Sequence, residues 1–114
     1  MFKTSFLIFG LFTTAAFAQT KAGDAATGKR LYEKNGCYQC HGYAGQGGTA
    51  GARLAQTKHT QASFTGFVRN PPSGGMPPYR AKVMSDQEMA DVYSYIKSFP
   101  EPKAAKDIPL LSGQ

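Results

Sequence analysis

"GKRLYEKNGCYQCHG", Gly28 to Gly42, is the stretch on which the reading of the whole chain turns. It contains the only two cysteines, Cys37 and Cys40, and one of the two histidines, His41. Two thiols three positions apart, with an imidazole directly after the second, admit four chemistries. A Cys37–Cys40 disulfide would close a tiny loop and so constrain little of the unfolded chain. A thioredoxin-like redox pair requires a βαβ setting, and no strand-like alternation of useful length is present. Zinc would have to recruit Cys37, Cys40, His41 and His59. Adjacent Cys40 and His41 close a tetrahedron awkwardly, and the usual paired-ligand spacing is missing.

The fourth chemistry is covalent haem attachment through C-x-x-C-H. Each thiol adds to one vinyl group of the same porphyrin, so the two sulfurs must lie about one helical turn apart along one edge. The following imidazole then turns under the iron, which neutral imidazole suits. One haem c, held by Cys37 and Cys40 with His41 as proximal ligand, is therefore the expected cofactor. It also meets the need of a small domain for a staple, since a chain of this size buries only a modest core.

The flanks agree with that chemistry. Lys3 precedes an uncharged, mostly apolar run over residues 6–17, and Ala16-Phe17-Ala18 is a small-x-small cleavage site. This is the layout of a secretory signal peptide over residues 1–18, too short to span a bilayer comfortably, with an uncleaved anchor as the alternative. Cleavage leaves no membrane span and places the mature protein in the periplasm, where thiol attachment of haem is feasible. Five of the eight phenylalanines lie in this leader, so the mature chain has a core poor in large apolar residues. The formal charge of +6 favours an acidic partner surface. No basic run or aromatic-basic alternation points to nucleic acid.

Helix signals organise residues 19–99 into one all-α domain. Asp24 caps a helix expected through about Asn35, with Gly36 as its stop. Within it Gly28, Leu31 and Tyr32 share a face, and a mid-helix glycine costs about 1 kcal/mol against alanine. Gly28 therefore implies close approach of another helix. Residues 42–57 are glycine-rich and read as an irregular loop. Thr60 caps a short helix over 61–69 with Phe64, Phe67 and Val68 on its apolar stripe, ended by Asn70-Pro71-Pro72. Ser85-Asp86-Gln87-Glu88 is a capping box that opens a helix to about Phe99, with Met89, Val92, Tyr93 and Ile96 at helical spacing. Residues 100–114 form an extended tail. Its Ile108, Leu110 and Leu111 are expected to fold back over the domain, where each buried aliphatic contributes about 1.5–3 kcal/mol, the alternative being that they dock on a partner.

The second iron ligand follows by elimination among His59, Met76, Met84 and Met89. Met89 lies on the apolar face of the last helix. Met84 and Met89 sit at N′ and N4 of that helix, the positions of a hydrophobic staple. Met76 lies between Gly74-Gly75 and Pro77-Pro78, in no helix and on no stripe, a fixed mount for a thioether. Met76 is the expected ligand and Met84 the next candidate. His59 reads as an exposed loop histidine, with bis-His ligation the minor alternative. Tyr79, Arg80 and Arg53 are candidate donors to the haem propionates, and Leu31, Phe64 and Phe67 are expected to pack on the porphyrin. Lys29, Arg30, Lys34, Arg80, Lys82 and Lys97 are candidates for steering a redox partner.

From about Gly23 to Phe99, the order of CxxCH, glycine-rich loop, short helix, "GGMPPY" and "SDQEMADVYSYIKSF" resembles a class I monohaem cytochrome c. The resemblance implies a small cytochrome c fold, His/Met iron and one-electron transfer rather than enzymatic turnover. Methionine as axial ligand raises the potential relative to more donating ligands. In that family the first and last helices cross through a small residue and aromatics, and Gly28, Tyr32 and Tyr95 match those places. The family commonly has Gly-Pro after the haem-binding loop, where its carbonyl accepts the other N–H of the proximal imidazole. Here the pair is Gly51-Ala52, which still offers a carbonyl. The expected role is a periplasmic electron carrier, a monomer or a subunit of a larger assembly. The alternatives are a dedicated haem subunit of a periplasmic dehydrogenase or oxidase, and a haem sensor or peroxidase-like enzyme. No extra His or Arg beside Met76 supports peroxide chemistry.

Overall fold

A computed structural model describes residues 20–72, 74–101 and 103–111. The expected signal segment, residues 1–18, lies outside the described residues. Four helices and a short 3-10 turn follow in order: α1 Ala25–Lys34, α2 Cys37–His41, α3 Gln61–Arg69, α4 Asp86–Lys97 and the turn Ala105–Asp107. No strand occurs among the described residues, so the chain is the small all-helical domain its sequence implies.

Each cap forms as its chemistry dictates. The Asp24 carboxylate accepts from the N–H groups of Ala26 and Thr27, and the Thr60 hydroxyl accepts from Ser63. At Ser85 both arms of the capping box are made with Glu88. Gly36 adopts φ +73°, a left-handed conformation that favours glycine. It stops α1 and at the same residue starts α2. Helix α4 ends at Lys97 rather than about Phe99, within the fraying expected of any helix end.

α1 and α4 form the main helix pair, and Gly28 is where they meet. A Cβ added there would lie 1.9 Å from the Asp91 carbonyl oxygen and 2.9 Å from Tyr95 Cβ. The crossing is sealed by edge-on aromatic contacts, Tyr32–Tyr95 at 5.4 Å, Tyr95–Phe99 at 4.7 Å and Tyr32–Phe99 at 5.9 Å between centroids. Such pairs add about 0.5–1.5 kcal/mol each beyond area burial. Asp91, buried on α4, accepts from the Asp24 N–H at 2.8 Å and from Gln87 Nε2. One carboxylate thus fixes the start of α1 to the last helix, so the two ends of the domain close on each other and leave the crevice between α1, α3 and α4.

The tail departs from expectation. Leu110 and Leu111 are 90% and 56% exposed, and Ile108 is only half-buried. Phe99, the last apolar residue before the tail, is by contrast buried against Tyr32 and Tyr95.

Candidate functional site

Between these helices lies an apolar cavity of about 150 Å³. α3 contributes Phe64, Phe67 and Val68, and α4 contributes Met89, Val92 and Ile96. Cys37 and His41 of α2 enter from one side and Met76 from the connection between α3 and α4. An open cleft adjoins it, lined by Cys37, Cys40, His41, Met76 and Tyr79 among others. The cavity and cleft share Cys37, His41 and Met76, so they are two parts of one crevice.

α2 is one helical turn long because Gly36 and Gly42 bracket it with φ +73° and +81°. That single turn puts both thiols and the imidazole at the crevice. Gly51 is forced by the same packing: a Cβ there would stand 2.7 Å from the Cys40 carbonyl oxygen. With the loop drawn in, the Ala52 carbonyl lies 2.6 Å from His41 Nδ1. A carbonyl can only accept, so Nδ1 is the donor, which in the neutral ring leaves the lone pair on Nε2. The loss of proline after Gly51 therefore leaves this orienting bond intact.

Cys37 and Cys40 form no disulfide. Burial pushes the Cys37 thiol up to about 11, so it stays neutral at ordinary pH and carries no buried charge. Tyr79 is raised for the same reason, and its hydroxyl donates to the Asn35 carbonyl at 2.8 Å. Tyr32, also raised by burial, donates to the Gly42 carbonyl at 2.7 Å and ties α1 to the end of α2. Among the described residues no buried side-chain polar atom lacks a partner.

The donor set fits a haem. Apolar walls from α3 and α4 suit a flat hydrophobic disc, and the cavity opens directly into the adjoining cleft. Two thiols and an imidazole with a free lone pair stand on one side, with a thioether at the same crevice.

Several sequence expectations are refined by placement. Phe64 and Phe67 line the cavity, but Leu31 packs in the core instead. Met84 and Met89 are fully buried and line the closed cavity, whereas Met76 borders both cavity and cleft. His59 lines the cavity's edge, is exposed, and holds Ser63 Oγ through Nδ1 at 2.8 Å. Of the propionate candidates, Arg53 and Tyr79 line the cavity and Arg80 does not. Thr57 joins Arg53 and His59 in the wall that the cavity shares with a neighbouring polar cleft. No periodic or motif signal marks Thr57 in the sequence. Among the proposed steering cations, Lys29 pairs with Glu33, and Lys97 donates to the Thr57 carbonyl. Both are thereby partly engaged within the chain.

A family model described as cytochrome C oxidase, cbb3-type, subunit III matches residues 23–96. No curated protein and no solved structure matches the chain.

Proposed function

The chain belongs to the cbb3-type cytochrome c oxidase subunit III family of cytochrome c domains, and on that premise we propose that it is an exported one-electron carrier with His41 and Met76 as iron ligands. As a monohaem c-type cytochrome it carries covalent haem c on Cys37 and Cys40, and its function is electron transfer. The proposal adds the ligand pair, the periplasmic location and the division of the chain into a leader of residues 1–18, a domain of 19–99 and a tail of 100–114. Among the described residues no helix is long and apolar enough to cross a membrane.

The observation that carries the ligand assignment is that His41 and Met76 both border the cavity and the open cleft, whereas Met84 and Met89 border the cavity alone. When bound, the haem supplies the ferrous–ferric couple. The protein's own part is to hold and to exclude. Ala52 fixes the imidazole tautomer through Nδ1. The Tyr79 N–H, three residues after Met76, donates to the Val68 carbonyl at 3.0 Å, and its hydroxyl to Asn35. Phe64, Val68, Val92 and Ile96 keep water from the buried side. With both ligands fixed, little reorganises when an electron moves.

Met76→Ala is expected to remove the weak near-infrared sulfur-to-iron band of the oxidised protein and to open the iron to small ligands. If Met84→Ala does this and Met76→Ala does not, the assignment passes to Met84.

A second reading, a dedicated haem subunit of a larger oxidase, is favoured by the exposed Leu110 and Leu111 and by the name of the matching family. Truncation after Lys106 checks it. A partner-docking tail predicts unchanged thermal stability, unchanged electron transfer to small soluble acceptors, and a drop in turnover with the native partner. A fall in stability would instead return the tail to its own domain.

A further inference from the structure

We propose that Arg69 is the positioning residue that keeps the Met76 thioether at the iron, an inference that rests on Met76 being the ligand. The connection from α3 to α4 contains four prolines, Pro71, Pro72, Pro77 and Pro78. Each lacks a backbone N–H, so the segment is short of four main-chain donors. Arg69, the last residue of α3, donates to it from outside. Nη1 donates to the Tyr79 carbonyl at 3.3 Å and to the Met84 carbonyl at 3.1 Å, and Nη2 donates to the Asp86 carboxylate at the first residue of α4. One guanidinium therefore joins the start of the connection to three points near its end.

Among the described residues, the other side of Met76 offers no comparable hold. Gly74 and Gly75 have φ +135° and +102°, and a Cβ on either would meet nothing within 4 Å. Met76 thus hangs between an open glycine tip and a base closed at Tyr79. A thioether is a neutral, weak donor. Its occupancy of the iron depends on how tightly the chain confines it, as with any tethered ligand. The guanidinium side chain is only 15% exposed, so its bonds are little weakened by water. Two carbonyls would lose a charged donor together if it were removed.

The alternative is that Arg69 merely staples α3 to α4. The two roles separate in the binding of free imidazole to the oxidised, haem-loaded protein. If Arg69 confines Met76, Arg69→Gln weakens the sulfur-to-iron band and raises imidazole affinity by roughly tenfold or more, the scale of losing charge-assisted hydrogen bonds. Arg69→Lys, which keeps the charge but not the planar fork, restores part of both. In a Met76→Ala background Arg69→Gln has no further effect on imidazole affinity, because there is no thioether left to confine. Asp86→Asn, at a position 76% exposed, gives an intermediate rise and serves if Arg69→Gln does not accumulate. A lower melting temperature with wild-type band and imidazole affinity would overturn the proposal and leave a staple. An undiminished Arg69→Gln effect in the Met76→Ala background would also overturn it. If Met76→Ala alone leaves band and affinity unchanged, the ligand assignment itself falls and takes the confinement role with it.

Discussion

Replacing Cys37 and Cys40 together with alanine is expected to abolish covalent haem and with it most of the helical fold. The chain has no other cysteine, so no second thioether route exists. The crevice would then lose the group that fills it, leaving a cavity of about 150 Å³ between α3, α4 and α2. A void of that size at ~24 cal/mol per Å³ would cost about 4 kcal/mol. That is a large share of the roughly 5–15 kcal/mol that holds a whole domain. The walls cannot easily collapse, because α1 and α4 are already in backbone contact at Gly28. Haem staining after denaturing electrophoresis and far-ultraviolet circular dichroism read the two losses. Colour retained through denaturation in the double variant would place the attachment on some other chemistry.

What the sequence disclosed, and what it hid, divides by the range of the interaction. Asp24, Thr60 and Ser85 were legible as caps because a cap is a bond between residues two or three apart. Cys37 and Cys40 were legible because thiol spacing on a single helical turn is itself local. Gly28 was legible through its cost: a glycine inside a good helix needs a reason, and the Asp91 carbonyl is that reason. The Ala52 carbonyl was reachable only through the family resemblance, since nothing in Gly51-Ala52 itself announces a partner eleven residues earlier. The clamps were hidden. Asp91 reaches the Asp24 N–H across 67 positions, and Arg69 reaches Met84 across 15. On the sequence both look like ordinary charged residues on helix surfaces. Leu31 shares the helical face of Tyr32, so periodicity could show that it is buried but not against what. The tail failed for a related reason. Ile108, Leu110 and Leu111 are apolar enough to seek cover, but whether the domain offers a surface to receive them is set by contacts between distant residues, and Leu110 and Leu111 stay exposed.

The crossing of α1 and α4 gives the sharpest test of how this fold is held, because two helical glycines predict opposite signs. Alanine is a better helix former than glycine by about 1 kcal/mol, so propensity alone favours Gly→Ala at both Gly28 and Gly66. At Gly66 of α3 a new Cβ meets nothing within 4 Å. Gly66→Ala should therefore stabilise by about 0.4–1 kcal/mol. At Gly28 the new Cβ would sit 1.9 Å from the Asp91 carbonyl oxygen and 2.5 Å from its carbon. These are main-chain atoms of a hydrogen-bonded helix and cannot rotate aside as a flexible side chain would. The helices must separate, and overpacking of this kind costs typically 1–3 kcal/mol or more. Separation also pulls the Asp91 carboxylate from the Asp24 N–H and opens the Tyr32–Tyr95–Phe99 contacts. Those losses add to the clash and outweigh the propensity gain, for a net destabilisation of about 3 kcal/mol. At about 4–8 °C per kcal/mol for a domain of this size, Gly28→Ala should melt at least about 12 °C below wild type. Gly66→Ala should melt a few degrees above it. A Gly28→Ala protein as stable as wild type would mean that α1 and α4 do not meet at this glycine.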